Sequence, residues 1–264
     1  MSIDIQAGDC CELLEGMDEK AKLIVADPPY NYGQMYADFN DKRSKQEYTD
    51  WTVRWLSHAY RALDDEGSMF VFVPDEWAGR VDVTCQDTLG LNLRNWIVWH
   101  YTFGQNCRKK FNRCHTHILY YTKDPKKFTF NRDDVKVPSA RQRVYNDKRA
   151  ADGGKNPDDV WVLSAEELQK TMGEGADTWL ESRICGTFKE RDQVSPNQLP
   201  LQIVDRIVLS ASNPGDLVVD PFVGTGTTAV SCSRYGRRFV GFDVSSECRD
   251  AAYERVKREQ ERNS

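Results

Sequence analysis

Two short segments of the 264-residue chain combine residue types that could do chemistry, and each follows a short apolar run. The first is Asp27-Pro28-Pro29-Tyr30, which we call the DPPY loop. The second is D-P-F-V-G-T-G-T-T at residues 220–228, which we call the glycine loop. A carboxylate and an aromatic ring in a rigid frame suit the capture of a planar group that carries hydrogen-bond donors. Closely spaced glycines let the backbone approach a ligand.

The DPPY loop offers two acceptors in a stiff stretch of chain. Pro28 and Pro29 hold the backbone extended and remove two N–H donors. The Asp27 carboxylate and the Pro28 carbonyl can then accept the two hydrogens of an NH2 group. Tyr30 adds an aromatic face on which a planar base can stack. The alternative interpretation is an ordinary turn after a strand.

The glycine loop has the order strand, D-P-F-x-G-x-G, helix, which is typical of a ligand site at the carboxyl end of a strand. Gly224 and Gly226 allow a tight turn, and a helix that begins near Thr227 offers free N–H groups. Asp243 lies nineteen residues after Gly224, where an acid can accept from ribose hydroxyls. A nicotinamide enzyme would share these features, but its third glycine is absent and the DPPY loop has no role in hydride transfer.

The elements around these loops alternate between strand and helix. Apolar runs predict strands at residues 22–26, 68–73, 95–100, 117–121, 217–219 and 238–242. Helical spacing predicts helices at residues 44–64, 75–89, 201–211, 226–235 and 245–259, and a weaker one at 163–171. This alternation predicts an α/β fold with a mostly parallel, doubly wound sheet. The pattern dissolves between residues 131 and 192, which favours an irregular insertion between a first half (1–130) and a second half (193–264) of one domain.

Charge is distributed unevenly along the chain. The net charge is −5, but residues 104–150 carry thirteen Lys or Arg and four acidic residues. A local basic segment on an acidic protein suits a nucleic-acid face, although a solvated loop is the alternative. Phe111 lies in the same segment and Phe103 directly precedes it, and both could reach a base. The candidate contacts are Arg108, Lys109, Lys110, Arg113, Arg141 and Arg143.

Several functional classes are disfavoured. No run of eighteen apolar residues predicts a membrane span, and the N-terminus has no basic-then-apolar signal pattern. The eight cysteines are irregularly spaced, so we expect reduced thiols and a cytoplasmic location. Zinc binding by Cys107, Cys114, His115 and His117 is an alternative, but their spacing fits no common zinc finger and we predict no metal.

Together, the two loops resemble those of the beta group of S-adenosylmethionine-dependent DNA amino-methyltransferases, in which the catalytic loop precedes the cofactor loop. Gly8-Asp9-Cys10 is similar to the G-D element of that group. Residues 195–201 resemble its H-P-T-Q-K-P-L stretch, with Ser195 and Leu199 as departures. Residues 112–119 resemble its segment near the target base, with Thr116 where the group has an acid. The resemblance covers residues 8–123 and 195–257.

The resemblance implies a permuted Rossmann-like fold, S-adenosyl-L-methionine as the cofactor and DNA, most simply double-stranded, as the partner. It implies that a base leaves the duplex to react, that residues 131–192 recognise the target, and that a homodimer and a companion restriction enzyme are open possibilities. Asp27 favours adenine N6, because the cytosine-N4 enzymes more often have serine there. Cytosine-N4 methylation, RNA methylation and a catalytically silent nucleic-acid-binding protein are the alternatives. The implied catalytic residues are Asp27, Pro28, Pro29 and Tyr30, and the implied cofactor contacts are Asp9, Asp220, Phe222, Gly224, Thr225, Gly226, Thr227 and Asp243.

Overall fold

Strands from both halves of the chain share one mixed sheet in the computed structural model, which describes residues 2–33, 41–105, 107–137, 149, 154–161 and 197–262. Eight strands of these residues pair in the order β1-β8-β7-β2-β3-β5-β4-β6. The first five strands in this order run parallel, β5 runs antiparallel to both neighbours, and β6 is parallel to β4. The strands are β1 (Ile3–Ala7), β2 (Ala21–Ala26), β3 (Leu63–Val73), β4 (Asn92–Gln105), β5 (Arg113–Thr122), β6 (Val160–Trp161), β7 (Leu217–Asp220) and β8 (Arg238–Asp243).

Helices cover the two faces of this sheet, which confirms the predicted α/β class. The helices are α1 (Cys10–Glu15), α2 (Lys45–Ala62), α3 (Asp75–Val83), α4 (Leu201–Ala211), α5 (Thr227–Tyr235) and α6 (Ser246–Arg262). Helices α4, α5 and α6 bury their apolar sides in one core, and α1, α2 and α3 bury theirs in the other. Because side chains alternate along a strand, Leu23 and Val25 of β2 enter the first core and Ile24 enters the second. A strand that is buried on both faces has a continuous apolar sequence, which is why β2 could be predicted from the sequence.

Most of the predicted elements are present, with differences at their ends. The predicted helix at residues 75–89 ends at Val83 and passes into a π-helical turn, Thr84–Thr88. Strand β3 begins at Leu63, five residues before the predicted position, directly after α2. Strands β1 and β6 and helix α1 were not predicted. The predicted helix at 163–171 and most of the 131–192 segment lie outside the described residues.

Two further sequence expectations concern membranes and thiols. Within the described residues, no helix combines the length and the apolar character that a membrane crossing requires. The cysteines of that part of the chain are free thiols, and Cys185 lies outside it.

The parallel register brings the functional loops to one edge. Ile24 of β2 is opposite Val219 of β7, Asp220 is opposite Gly241 of β8, and Ala7 of β1 is opposite Asp243. The carboxyl ends of these four strands therefore lie side by side. The DPPY loop and the glycine loop leave the sheet at that same edge although about 190 residues separate them.

An ion cluster joins the three helices of the first core. Arg234 of α5 donates to Asp205 Oδ2 of α4 at 2.9 Å and to Glu259 Oε1 of α6 at 2.9 Å. Both acids are buried, and burial raises the pKa of Asp205. Removing the cation would leave two buried carboxylates without this partner.

We therefore expect Arg234→Ala to lower the free energy of unfolding by about 2 kcal/mol, below the value for a fully buried pair because the arginine side chain is one-third exposed. Urea denaturation at pH 7 measures this loss. The matched control is Arg238→Ala, which removes a more exposed pair with Glu19 and should cost less than about 1 kcal/mol. Equal losses of unfolding free energy in the two variants would contradict this role of the Arg234 ion cluster.

Candidate active site at the carboxyl edge of the sheet

Four carboxylates gather where β1, β8, β7 and β2 end. Asp27 follows β2, Asp220 and Asp243 end β7 and β8, and Asp9 begins α1 two residues after β1. Asp27, Asp243 and Asp9 are partly exposed, whereas Asp220 is buried. The sequence placed Asp27, Asp220 and Asp243 at this edge. The strand before Asp9 was not predicted, and Asp9 was assigned from the family resemblance alone.

Asp220 is the carboxylate that burial affects most. Burial raises its pKa to about 7, and the nearby Asp27 and Asp243 carboxylates add to the rise. Two hydrogen bonds oppose this effect, because Thr228 Oγ1 donates to Asp220 Oδ2 at 2.6 Å and the Phe222 N–H donates to Oδ1 at 2.9 Å. The Asp27 and Asp243 charges therefore disfavour ionisation of Asp220, and a cationic ligand nearby would favour it.

The DPPY loop holds its carboxylate against its own tyrosine. Tyr30 Oη donates to Asp27 Oδ1 at 2.6 Å. Burial, and then the charge of Asp27, raises the pKa of the Tyr30 hydroxyl well above its ordinary value, so the hydroxyl remains a donor. Tyr48 of α2 donates to the Pro29 carbonyl at 2.7 Å, and Pro28 is buried. The loop is thus fixed at its acid and at its second proline.

Asn31 and Tyr32, which follow Tyr30, connect the loop to residues 41–43. Asn31 has a left-handed backbone with φ of 61°. The N–H groups of Asn31 and Tyr32 donate to the buried carboxylate of Asp41 at 2.8 and 3.0 Å. The Arg43 N–H returns a hydrogen bond to Asn31 Oδ1 at 2.7 Å. Sequence reasoning missed this clamp; its only local signal was an asparagine after the DPPY loop, since asparagine tolerates this conformation.

The two glycines of the glycine loop have different roles. Gly224 has φ of 51°, its N–H donates to Asp243 Oδ2 at 2.9 Å, and a side chain at its Cα would meet no atom within 4 Å. Gly226 has φ of 81°, and a side chain there would come within 2.6 Å of Ala252 Cβ on α6. Gly224 therefore borders open space as expected, whereas Gly226 is required by helix packing.

An arginine that the sequence did not single out secures the glycine loop. Arg255 Nη1 of α6 donates to the Thr225 carbonyl at 2.7 Å, to Thr225 Oγ1 at 2.9 Å and to Thr227 Oγ1 at 3.2 Å. Thr227 Oγ1 donates in turn to the Leu199 carbonyl at 3.3 Å. The two threonines assigned to the ligand site thus also connect the loop to its supports.

Aromatic side chains flank the carboxylates on the α2 face. The Phe222 ring lies 5.7 Å from the Trp51 ring and 5.2 Å from the Trp55 ring, both in edge-to-face contacts. The Tyr48 ring packs 4.3 Å from Trp77. Phe222 remains partly exposed within this group and can present an aromatic surface to a ligand.

Asp9 joins the edge through the first helix. Its Oδ1 accepts from the Cys11 N–H at 2.8 Å and caps α1, and Arg54 lies 3.7 Å from its Oδ2. The Gly8 N–H donates to the Asp243 carbonyl at 2.8 Å, so Asp9 and Asp243 lie on chain segments that contact each other.

Potential metal ligands lie close together at the start of α1, and not at the four residues of the zinc alternative. Within the described part of the chain, the group of three potential ligands within 4.8 Å of one another is Asp9, Cys10 and Cys11. The four residues of the zinc alternative form no such group there. His117 Nδ1 instead accepts from Trp96 Nε1 at 2.9 Å.

The basic residues fall into separate environments. Residues 107–112 form the tip of the β4–β5 hairpin, where Arg108, Lys109 and Lys110 are exposed. Arg113 is mostly buried and pairs with Asp75 at 3.1 Å and Glu76 at 2.7 Å at the start of α3. Its guanidinium is thus engaged within the protein, unlike the three residues before it. Arg141 and Arg143 lie outside the described residues.

Comparisons with known proteins agree with this fold and show its family. A family model described as DNA methylase, of the N6/N4 methyltransferases, matches residues 21–254. The type II methyltransferase M.HpaI of Haemophilus parainfluenzae is 33% identical over 92% of this chain and 70% of its own length. The DNA adenine methyltransferase YhdJ of Escherichia coli (strain K12) is 32% identical over 87% of this chain and 74% of its own length.

A solved structure gives the same fold at lower identity. The M1.HpyAVI–SAM complex superposes with a TM-score of 0.63 at 20% identity, covering 96% of this chain and 98% of that one. A sheet edge that joins the DPPY loop to the glycine loop, together with these comparisons, places the chain among the S-adenosylmethionine-dependent methyltransferases. The chain belongs to the DNA methylase family of N6/N4 amino-methyltransferases, enzymes that use S-adenosylmethionine.

The raised pKa of Asp220 predicts a pH-dependent stability. The folded protein keeps this proton up to about pH 7, whereas the ordinary pKa is 3.8, so the folded state binds more protons between these values. Stability from this group is therefore lost as the pH rises through that range. We expect the free energy of unfolding of Asp220→Asn, relative to that of the wild type, to increase by roughly 3 kcal/mol as the pH rises from about 5 to about 8. Urea denaturation at each pH measures this difference. Asp4→Asn, at an exposed site, is the control, and a constant Asp220→Asn difference would contradict the prediction.

Proposed function

We propose that this protein is a DNA adenine-N6 methyltransferase that moves a methyl group from S-adenosylmethionine to the exocyclic amine of a base flipped out of the duplex. The observation that carries the proposal is the Tyr30-supported Asp27 carboxylate beside the glycine loop at one sheet edge. Family membership supplies the reaction class and DNA as the substrate. The base and the residue roles are our assignment.

The residues at the edge fit the cofactor chemically. S-adenosylmethionine carries a cationic sulfonium and an ammonium, which the carboxylates at this edge would attract. The open space beside Gly224 gives its backbone access to a ligand, and Phe222 offers an aromatic surface. The Asp243 carboxylate, which the Gly224 and Ser245 N–H groups orient, is assigned to the ribose hydroxyls. We assign Asp9 to the adenine amine, with Thr225, Gly226 and Thr227 shaping the loop.

Asp27 would hold the target amine. The adenine amine is paired and stacked in a duplex, so the base must leave the stack to reach it. A carboxylate has about four acceptor positions, so Tyr30 can keep Oδ1 while the amine donates to Oδ2. The Pro28 carbonyl accepts the second amine hydrogen, Pro29 fixes that carbonyl, and the Tyr30 ring stacks on the base.

These contacts favour the transition state by charge and by position. The bound cofactor supplies an electrophilic methyl group on its sulfonium. Positive charge develops on the amine nitrogen as it is methylated, and the Asp27 carboxylate stabilises that charge and then takes the proton or passes it to water. The hydrogen bonds from Tyr30 and Tyr48 keep the loop in one geometry. The loop therefore loses less conformational entropy when the base binds.

Adenine is favoured over cytosine by two observations. The loop begins with Asp27 where cytosine-N4 enzymes of the group more often have serine, and the 32%-identical relative is a DNA adenine methyltransferase. The family model spans both classes, so cytosine N4 is the second candidate. The retained Asp27, Tyr30 and glycine loop argue against a silent homologue. We assign target recognition to residues 131–192.

Asp27→Ala should lower kcat for methyl transfer by about 1,000-fold or more, because it removes the acceptor for the amine. Calorimetry should show S-adenosylmethionine affinity within a few-fold of the wild type. Tyr30→Phe keeps the ring and removes only the hydrogen bond to Asp27, so we expect a loss nearer 10-fold. Tritiated-methyl transfer to DNA and to RNA measures the rates, and digestion to nucleosides identifies the methylated base. Normal turnover of Asp27→Ala, or methyl groups in RNA or on cytosine, would contradict the assignment.

The exposed hairpin lysines should contact phosphates. A Lys109→Ala/Lys110→Ala double variant should reduce the slope of log K against log salt for duplex DNA by about 2. The matched control is Lys126→Ala/Lys127→Ala, an exposed pair after the opposite end of β5, which should leave the slope unchanged. Fluorescence anisotropy at several salt concentrations provides both values, and identical slopes in the two double variants would contradict this contact surface.

A further inference from the structure

Phe111, at the tip of the β4–β5 hairpin, is 99% exposed. The other exposed large apolar side chains of the described residues reach at most 57%. Keeping an entire phenylalanine ring in water forgoes roughly 1.5–3 kcal/mol of burial, which a partner that covers the ring would recover. Three consecutive cations, Arg108, Lys109 and Lys110, precede it and make a polyanion the complementary partner.

The hairpin reaches the edge of the sheet where the candidate active site lies. Because β5 is antiparallel to β3, its first residues lie beside the end of β3, with His117 opposite Val73. Phe111 comes two residues before β5 begins, so its Cα lies within about 7 Å of the Arg113 Cα. The Cys107 N–H donates to Asn112 Oδ1 at 2.9 Å and closes the tip.

Arg113 fastens this hairpin to the catalytic loop. Its Nη1 donates to Tyr32 Oη at 2.6 Å, and its guanidinium also pairs with Asp75 and Glu76. The Tyr32 ring makes an edge contact with Tyr30 at 6.0 Å, and Tyr30 donates to Asp27. A continuous set of contacts therefore runs from Arg113, at the base of the hairpin, to the Asp27 carboxylate.

We propose that Phe111 inserts into the DNA base stack beside the target base and fills the gap that the flipped base leaves, while the neighbouring cations hold the phosphates. This inference rests on the proposed function. Extruding a base costs a few kcal/mol of pairing and stacking, and an aromatic ring in the gap recovers part of that stacking. The ring is apolar and exposed, and the hairpin that carries it is linked to Asp27 through Arg113, Tyr32 and Tyr30, which are the properties that such a wedge needs.

The experiment compares Phe111→Ala with the wild type on two duplexes that differ only opposite the target base. One duplex is fully paired, and the other has an abasic site opposite the target, so that the target base is already loosened. On the paired duplex we expect kcat/KM to fall by about 10-fold or more. On the loosened duplex we expect less than about a 3-fold loss, because there is less stacking to replace. Phe111→Trp keeps an aromatic ring and should retain most of the activity on both.

Phe130→Ala is the matched control. It removes an exposed phenylalanine that follows the opposite end of β5, and it should leave both rates unchanged. Fluorescence of 2-aminopurine at the target position should rise when the wild type binds and rise much less with Phe111→Ala. Thermal unfolding should be unchanged in Phe111→Ala, since the side chain is almost fully exposed.

The outcomes separate this inference from the proposed function. Absence of DNA methylation by the wild type would overturn the proposed function itself. Methylation by the wild type together with wild-type rates for Phe111→Ala on the paired duplex would overturn only the insertion of Phe111. An equal loss on both duplexes would assign Phe111 to general binding, and that result would also overturn the insertion.

Discussion

The crowding of carboxylates at the ends of four parallel strands is the constraint on which this site depends. The register of β1, β8, β7 and β2 leaves Asp9, Asp243, Asp220 and Asp27 at one edge, and burial of Asp220 raises its pKa to about 7. In isolation such an arrangement costs stability, because like charges share a partly dry space. A cationic ligand reverses that cost. In our proposal, the cationic cofactor supplies that compensation.

The DPPY loop shows how a short motif obtains its geometry from distant residues. Its own contribution is the hydrogen bond from Tyr30 to Asp27 and the stiffness of two prolines. The remaining constraints come from Asp41, which accepts two N–H groups after the motif, and from Tyr48, which donates to the Pro29 carbonyl. Neither residue would touch the reacting atoms in our proposal, yet both limit how far the loop can move.

The sequence predicted what is encoded locally. Strands β2, β7 and β8 read as apolar runs that end in polar residues, so the DPPY loop, the glycine loop and Asp243 could be found directly. Strand β1 could not, because at the sheet edge only Ile5 of its five residues is buried. The start of β3 was hidden by Asp64-Asp65-Glu66-Gly67, which reads as a turn. Charge density alone could not separate the engaged Arg113 from the exposed Lys109 and Lys110, since pairing with α3 is a tertiary contact.

The close approach of Gly226 to Ala252 has an evolutionary consequence. The two positions are 26 residues apart, and the space between them admits no additional methyl group. A lineage that enlarges either side chain must displace α6, and α6 carries the Arg255 guanidinium that holds Thr225 and Thr227. Drift at one position is therefore constrained by the other, and the pair should vary together across related sequences.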